Sequence, residues 1–269
     1  ADLRDSREVR DAILKVEPEL VVHLAAQSAV SYSFDHPEEV NDVVYMGTLR
    51  VAEACRQIGA WMVHASTSEV YGREPIHWTE RFSEEMPIGG TSPYAAAKVG
   101  AEEYLQVMAA AHGLAVTIVR PFNSIGRAAM LNRHFVVEKA ITQAIENHRV
   151  ELFDPRPERD FMFRSDHVSG YLAIIHQPTR AKGQTFNLCT GDSWTIKRMA
   201  AAVAREVSLL HDVPVSVSFK EEEDRPLDIP RLRGDNIKMR ELSWIPQYDI
   251  AGGIREAVFE WDQVLNPKR

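Results

Sequence analysis

Residues 60–72, AWMVHASTSEVYG, decide the fold. Ala60–Ala65 is a short apolar run of the kind that forms a strand buried on both faces. It breaks directly into the polar cluster Ser66-Thr67-Ser68-Glu69, followed by Val70-Tyr71-Gly72. A similar run, Leu20–Ala26 (LVVHLAA), lies upstream, and another, Ala115–Arg120 (AVTIVR), lies downstream. Between the three stand two long helical patterns, Glu38–Ile58 stopped by Gly59 and Pro93–His112 stopped by Gly113. A shorter pattern, SREVRDAILKV, spaces Val9, Ile13 and Val16 as on a helix, with Ser6 as its expected N-cap. Strands alternating with helices predict a Rossmann-like α/β fold, a doubly wound parallel sheet covered on both faces.

Beyond Pro121 the pattern loosens. Helices are expected over about 133–148, 166–176, 195–207 and 250–265, with strands at Gln184–Leu188 and Val213–Phe219 and a turn-rich stretch, FDPRPERDF, between them. The boundary is placed at 125: residues 1–125 form the sheet domain and 126–269 a smaller α/β lobe, with some elements crossing back.

The 269 residues carry a net charge of −8 with 45 % apolar and 26 % charged residues, which excludes a disordered chain. With no basic run, a nucleic-acid partner is not expected. No apolar stretch is long enough to span a bilayer, and ADLRDSREVR has no signal-peptide core. Cys55 and Cys189 lie far apart and read as thiols in a reducing compartment, so a cytoplasmic protein is expected. No zinc spacing occurs, and no metal is expected.

Three places carry chemistry. Tyr94 and Lys98, in SPYAAAK, stand four apart and so share a helix face. An ammonium beside a phenol favours the phenolate, which could exchange a proton with a sugar hydroxyl or carbonyl. The pattern is short, and on this motif alone a solvated lysine near a core tyrosine is the more ordinary reading. Thr67, Ser68 and Glu69 follow a strand, at the end where open parallel sheets bind ligands; the plainer reading is a polar turn that caps the next element. Small residues after His23, in Leu24-Ala25-Ala26-Gln27, would let a flat ligand approach the backbone, whereas His23 itself reads as a satisfied buried histidine.

Taken in order, these pieces resemble the extended short-chain dehydrogenase/reductases, and more closely their nucleotide-sugar branch of epimerases, dehydratases, decarboxylases and reductases. Asp2-Leu3-Arg4-Asp5 is similar to a DLxD motif, Arg120-Pro121-Phe122-Asn123 to RPFN, Arg159-Asp160-Phe161 to RDF, and Phe186-Asn187-Leu188 with Thr190-Gly191 to FNxxTG. Arg225-Pro226 with Leu232-Arg233-Gly234-Asp235 resembles the RPxDxxxLxGD of GDP-mannose-type dehydratases and related reductases. The resemblance implies a dinucleotide-binding domain at 1–125 and a lobe at 126–269 that holds a nucleoside-diphosphate sugar. It implies NAD or NADP as cofactor, lined by Asp2, Leu3, Leu24, Ala25 and Ala26, with Lys98 on the nicotinamide ribose and Tyr94 beside it. Tyr94 would be the acid/base at the sugar 4-hydroxyl, and Thr67 would hydrogen-bond the same oxygen. Gln27, Asn123, Arg159 and Arg225 would contact substrate, the arginines through its nucleotide and diphosphate.

Glu69 chooses among the branch's chemistries. Plain 4-epimerases in the family usually carry no acid there, whereas 4,6-dehydratases do, where a carboxylate removes the C5 proton acidified by a transient 4-keto group. The expectation is therefore a GDP-mannose-like nucleotide-sugar 4,6-dehydratase. The alternatives are a 4-keto-6-deoxy-sugar reductase, a decarboxylase or epimerase, or a non-catalytic sugar-nucleotide binder. A homodimer is expected through the two long helices, with Val51, Ala54, Val99 and Leu105 on their outer faces.

The sequence departs from the family pattern in three places. The glycine-rich strand, loop and helix that open such proteins are not among these residues, so the chain as given is expected to be a fragment or to be completed elsewhere. The strand 20–26 would then have an unpaired apolar edge. Val44 stands where NxxGT has its asparagine, with Asn41 one turn away, and His167 replaces a common aspartate.

Overall fold

The computed structural model describes residues 1–72, 80–127, 135–220 and 228–266. In chain order its elements are α1 (Ser6–Val16), β1 (Leu20–His23), α2 (Val30–Asp35), α3 (Pro37–Asn41), a π-helical turn (Asp42–Met46), α4 (Gly47–Ile58), β2 (Trp61–Ala65), a 3₁₀ turn (Ser68–Tyr71), α5 (Pro93–His112) and β3 (Val116–Pro121). There follow β4 (Asn123–Ile125), α6 (Val136–Asn147), β5 (Arg149–Leu152), β6 (Glu158–Arg159), β7 (Phe161–Phe163), α7 (Arg164–Ile175), α8 (Pro178–Ala181) and β8 (Thr185–Leu188). The last are β9 (Trp194–Thr195), α9 (Ile196–His211), β10 (Ser216–Phe219), β11 (Arg231–Leu232), α10 (Ile237–Glu241) and α11 (Ile250–Leu265).

The chain divides into two compact units, one of residues 1–79, 83–121 and 174–187, the other of 80–82, 122–173 and 188–269. In the first, the sheet runs β1-β2-β3-β8, with β1 and β3 both parallel to β2. One face is covered by α1, α4 and α5, whose Val9, Val51, Cys55, Leu105 and Met108 close over Met62 and Val116. On the other face Trp61 Nε1 donates to Thr117 Oγ1, which donates to the carbonyl of Ala181 in α8. The Rossmann-like reading therefore holds. In the second unit α6, α9 and α11 bury Ile141, Val203, Ile254 and Trp261 in a core of their own.

Several local expectations are corrected. Asp5, not Ser6, caps α1, accepting from the amides of Arg7 and Glu8 at 2.8 and 3.1 Å. The first strand stops at His23 and lies at the sheet edge, so Val22 is exposed rather than buried. The expected helix 38–58 is broken by the π-helical turn at 42–46. Val51, Ala54 and Leu105, expected to face a partner, are buried inside the first unit. Their spacing matches the stripe that covers the protein's own sheet.

Candidate active site at the strand ends of the first unit

α5 begins where its sequence says it should. Ser92 accepts from the amide of Ala95 at 3.1 Å, Pro93 takes the first turn, where it loses no hydrogen bond, and Gly113 ends the helix. Tyr94, Ala97, Lys98, Ala101, Glu102 and Leu105 then fall on one buried face. That face meets the end of β2. Lys98 Nζ donates to the carbonyl of Ala65 at 2.5 Å. The Thr67 side chain acts on the Tyr94 phenol as a hydrogen-bonding group, and the charge of Glu69 acts on it as well. Thr67 is also the N-cap of the 3₁₀ turn, its Oγ1 accepting from the amide of Glu69 at 3.2 Å. Thr67, Glu69, Tyr94 and Lys98 are thus brought together, and Ser68 is buried on the same turn.

The turn is held by close backbone approach. Gly89 N donates to the carbonyl of Val70 at 2.6 Å. Gly72 has φ +60°, and a Cβ on it would lie 1.9 Å from the carbonyl oxygen of Gly89. Only glycine fits there.

Charge in the site departs from the sequence expectation. The Tyr94 phenol is not lowered: burial, with Glu69 adding to it, pushes it up to about 12 against the lowering effect of Thr67. Lys98 is brought down to about 8 by burial, with Glu102 working the other way. The two residues share a helix face, but low polarity around the phenol sets the direction of its shift.

Beneath Lys98, on the same sheet face, His23 and His64 are cross-strand partners with rings stacked at 5.5 Å. His23 Nε2 lies 3.3 Å from Thr48 Oγ1, as a satisfied buried histidine should. His64 is wholly buried with no partner for either ring nitrogen among the described residues, and burial and the Lys98 charge hold it well below its usual value.

The remaining candidates are dispersed. Ala26 packs with Tyr94, Ala97, Val40 and Val44. Val44 thus supplies an apolar wall to the tyrosine ring where the family pattern has an amide. Leu24 and Ala25 are exposed and Gln27 is half-buried. Asp2 is an exposed carboxylate paired with Arg4 at 2.7 Å, and Leu3 packs against Gly47. In the second unit Asn123 donates its amide to the Asp160 carbonyl at 3.1 Å, and its side-chain oxygen is buried with no partner among the described residues. Arg159 donates to the Ile229 carbonyl at 2.8 Å and to Asp228 at 3.2 Å. His167, at the common aspartate position, is half-buried, and desolvation of its ring pushes it down to about 4. Arg225 lies outside the described residues.

Sequence reasoning missed a buried network around the same strand ends. Arg120 and Glu102 form an ion pair at 2.7 Å, extended by Ser66, Tyr71 and Asn187. The one available signal was Glu102 standing one helical turn beyond Lys98.

A parallel sheet with tyrosine, lysine, threonine and carboxylate at its strand ends defines an α/β enzyme of the short-chain dehydrogenase/reductase kind. The chain belongs to the family described as GDP-mannose 4,6 dehydratase, whose model matches residues 1–257. It lies among the NAD-dependent epimerases and dehydratases of nucleotide sugars. It is 33 % identical to a UDP-glucose 4-epimerase of Mycolicibacterium smegmatis over 96 % of this chain and 80 % of that protein. It is 26 % identical to the GDP-6-deoxy-D-mannose reductase of Pseudomonas aeruginosa, over 91 % of this chain and 81 % of that one. The crystal structure of a Thermus thermophilus UDP-glucose 4-epimerase in complex with NAD superposes with a TM-score of 0.86. It is 28 % identical and covers 97 % of this chain and 83 % of that one.

Proposed function

We propose that the protein is an NAD(P)-dependent nucleotide-sugar 4,6-dehydratase acting on a GDP-mannose-like NDP-hexose. The observation that carries this reading is Glu69, a carboxylate on the same turn as Thr67 and close enough to Tyr94 for its charge to act on the phenol. The residues present fit a nicotinamide cofactor by their donor chemistry. Lys98 is a buried ammonium with three donors, of which the Ala65 carbonyl takes one, leaving capacity for ribose hydroxyls. Leu24, Ala25 and Ala26 offer small or apolar side chains at the end of β1, and Asp2 and Leu3 are proposed to line the cofactor with them.

When bound, the nicotinamide supplies the acceptor and later the donor of a hydride. The chain's own residues do the rest. Tyr94 takes the proton of the sugar 4-hydroxyl as C4 is oxidised, and that proton is balanced by the one C5 gains, directly or through water, when C6 is reduced; the product keeps its 4-keto group. Thr67, whose side chain already acts on the phenol, orients the same oxygen. The 4-keto group acidifies C5–H, Glu69 accepts that proton, and Glu69 passes it to the C6 hydroxyl, which leaves as water. Ser68 lines this turn. Asn123, whose buried oxygen has no partner among the described residues, accepts from a sugar hydroxyl, Gln27 borders the sugar, and Arg159 and Arg225 neutralise the diphosphate.

A second reading, a UDP-glucose 4-epimerase, is favoured by the name of the 33 % identical relative. Glu69→Gln separates the two. Incubation with GDP-mannose, UDP-glucose and dTDP-glucose, followed by mass spectrometry, is expected to show loss of one water from one of them. The variant is expected to lose this activity by about 100-fold or more. Interconversion without water loss, undiminished in the variant, would establish the epimerase. A homodimer is proposed too, with its contact moved from the Val51 and Leu105 face to a shallow groove lined by Pro37, Tyr45, Pro93, Ala96 and Gly100.

A further inference from the structure

The network that the reaction scheme leaves unused lies directly under the segment it uses. Glu102 is wholly buried and accepts from Arg120 Nε at 3.1 and 3.2 Å and from Nη2 at 2.7 Å. It also accepts from the hydroxyl of Ser66, the residue immediately before Thr67. The remaining side of the Arg120 fork goes elsewhere. Its Nη1 donates to the Tyr71 hydroxyl at 3.1 Å and to the Glu84 carbonyl at 3.2 Å, and the guanidinium lies 5.0 Å over the Tyr71 ring. Tyr71 donates in turn to Asn187 Oδ1 at 2.5 Å, and the amide of Asn187 donates to the Glu84 carboxylate at 2.7 Å.

We propose that the Glu102–Arg120 pair is a positioning device: it ties down both ends of residues 66–71 and so holds Thr67, Ser68 and Glu69 in register with Tyr94. This rests on the reading of those four as the reacting groups. Ser66 and Tyr71 bracket the segment, and each bonds to one member of the same ion pair. Glu102 further shares α5 with Tyr94 and Lys98, so whatever fixes Ser66 to Glu102 fixes the turn to the helix that carries the acid/base. A buried ion pair is a poor choice for stability alone, because apolar residues of the same volume do as well or better. A planar guanidinium with five donors can reach two carboxylate oxygens and a hydroxyl on the far side at once, which an ammonium cannot.

The test severs one arm at a time and leaves the pair intact, with Ser66→Ala and Tyr71→Phe, alongside Arg120→Lys, which keeps the charge and loses the fork. Turnover of the substrate identified above is followed together with amide hydrogen exchange of residues 67–72. Each variant is expected to lower kcat about tenfold with KM little changed, since misplacement of reacting groups is costly at small displacements. Exchange at 67–72 is expected to accelerate while the rest of the sheet stays protected. Unchanged exchange at 67–72 in folded Ser66→Ala and Tyr71→Phe overturns the proposal, and so does acceleration spread evenly over the unit, which marks a purely structural pair. If the unaltered protein converts no nucleotide sugar, the functional reading fails on that count, and the exchange measurement still decides the positioning role.

Discussion

Lys98 is the residue whose environment makes the sharpest numerical demand. Burial brings its ammonium down to about 8, close enough to neutrality for a modest change of pH to discharge it. The Ala65 carbonyl occupies one donor, and a bound ribose is proposed to occupy the others. A charged donor is worth about 1 kcal/mol more than a neutral one in such a bond. Affinity for the dinucleotide is therefore expected to fall about fivefold as pH rises through 8. In Lys98→Met the affinity should be weak and flat with pH, and isothermal titration at pH 7 and 9 reads both. Tyr94 shows what residue spacing alone could not convey. The spacing of four placed it correctly beside Lys98, but the expected lowering of the phenol depends on local polarity, and Val44, Ala97 and Ala26 make that surrounding apolar.

At the scale of elements, legibility follows locality. The limits of α5 were readable to the residue, because Ser92-Pro93 and Gly113 are punctuation carried by the chain itself. The break at 42–46 carries no such mark, and neither do β4, β6, β7, β9 and β11, two or three residues each, whose extended form is set by partners remote in sequence. The Glu102–Arg120 pair was unreadable for the same reason. The 3₁₀ turn after β2 lies between these cases: its polar composition was visible, whereas its dependence on Gly72 comes from contact with Gly89. A methyl at Gly72 would collide with a backbone carbonyl at a positive φ. Gly72→Ala is expected to cost about 3 kcal/mol in urea unfolding. The groove beside α5 makes a further demand. Ala96 is exposed on its wall, and Ala96→Glu would place a carboxylate there. If a second copy seats on the groove, light scattering should show the protein as a dimer and this variant as a monomer with its circular dichroism intact.

For the whole molecule, stability carries a pH dependence traceable to the second unit's core. Glu138 on α6 is almost fully buried, accepts from the amide of Gly126 at 3.2 Å, and lies on an element whose other buried residues are Val137, Ala140, Ile141, Thr142, Ala144 and Ile145. Burial pushes its carboxyl up from 4.5 to about 7, against the smaller opposing effect of its backbone hydrogen bonds. The folded protein therefore holds this proton through a range in which the unfolded chain has released it. Its contribution is full below the unfolded value and is lost as pH climbs through 4.5 to about 7, so the charged form weighs on the fold above neutrality. Glutamine keeps the oxygen that Gly126 needs and cannot ionise. At pH 8 Glu138→Gln is expected to be more stable than the unaltered protein by about 3 kcal/mol, and below pH 4.5 the difference should vanish. Urea titrations at a series of pH values read this directly. A difference that is constant across pH would mean that the carboxyl does not titrate on folding, and that the amide of Gly126 suffices to keep it charged inside the core.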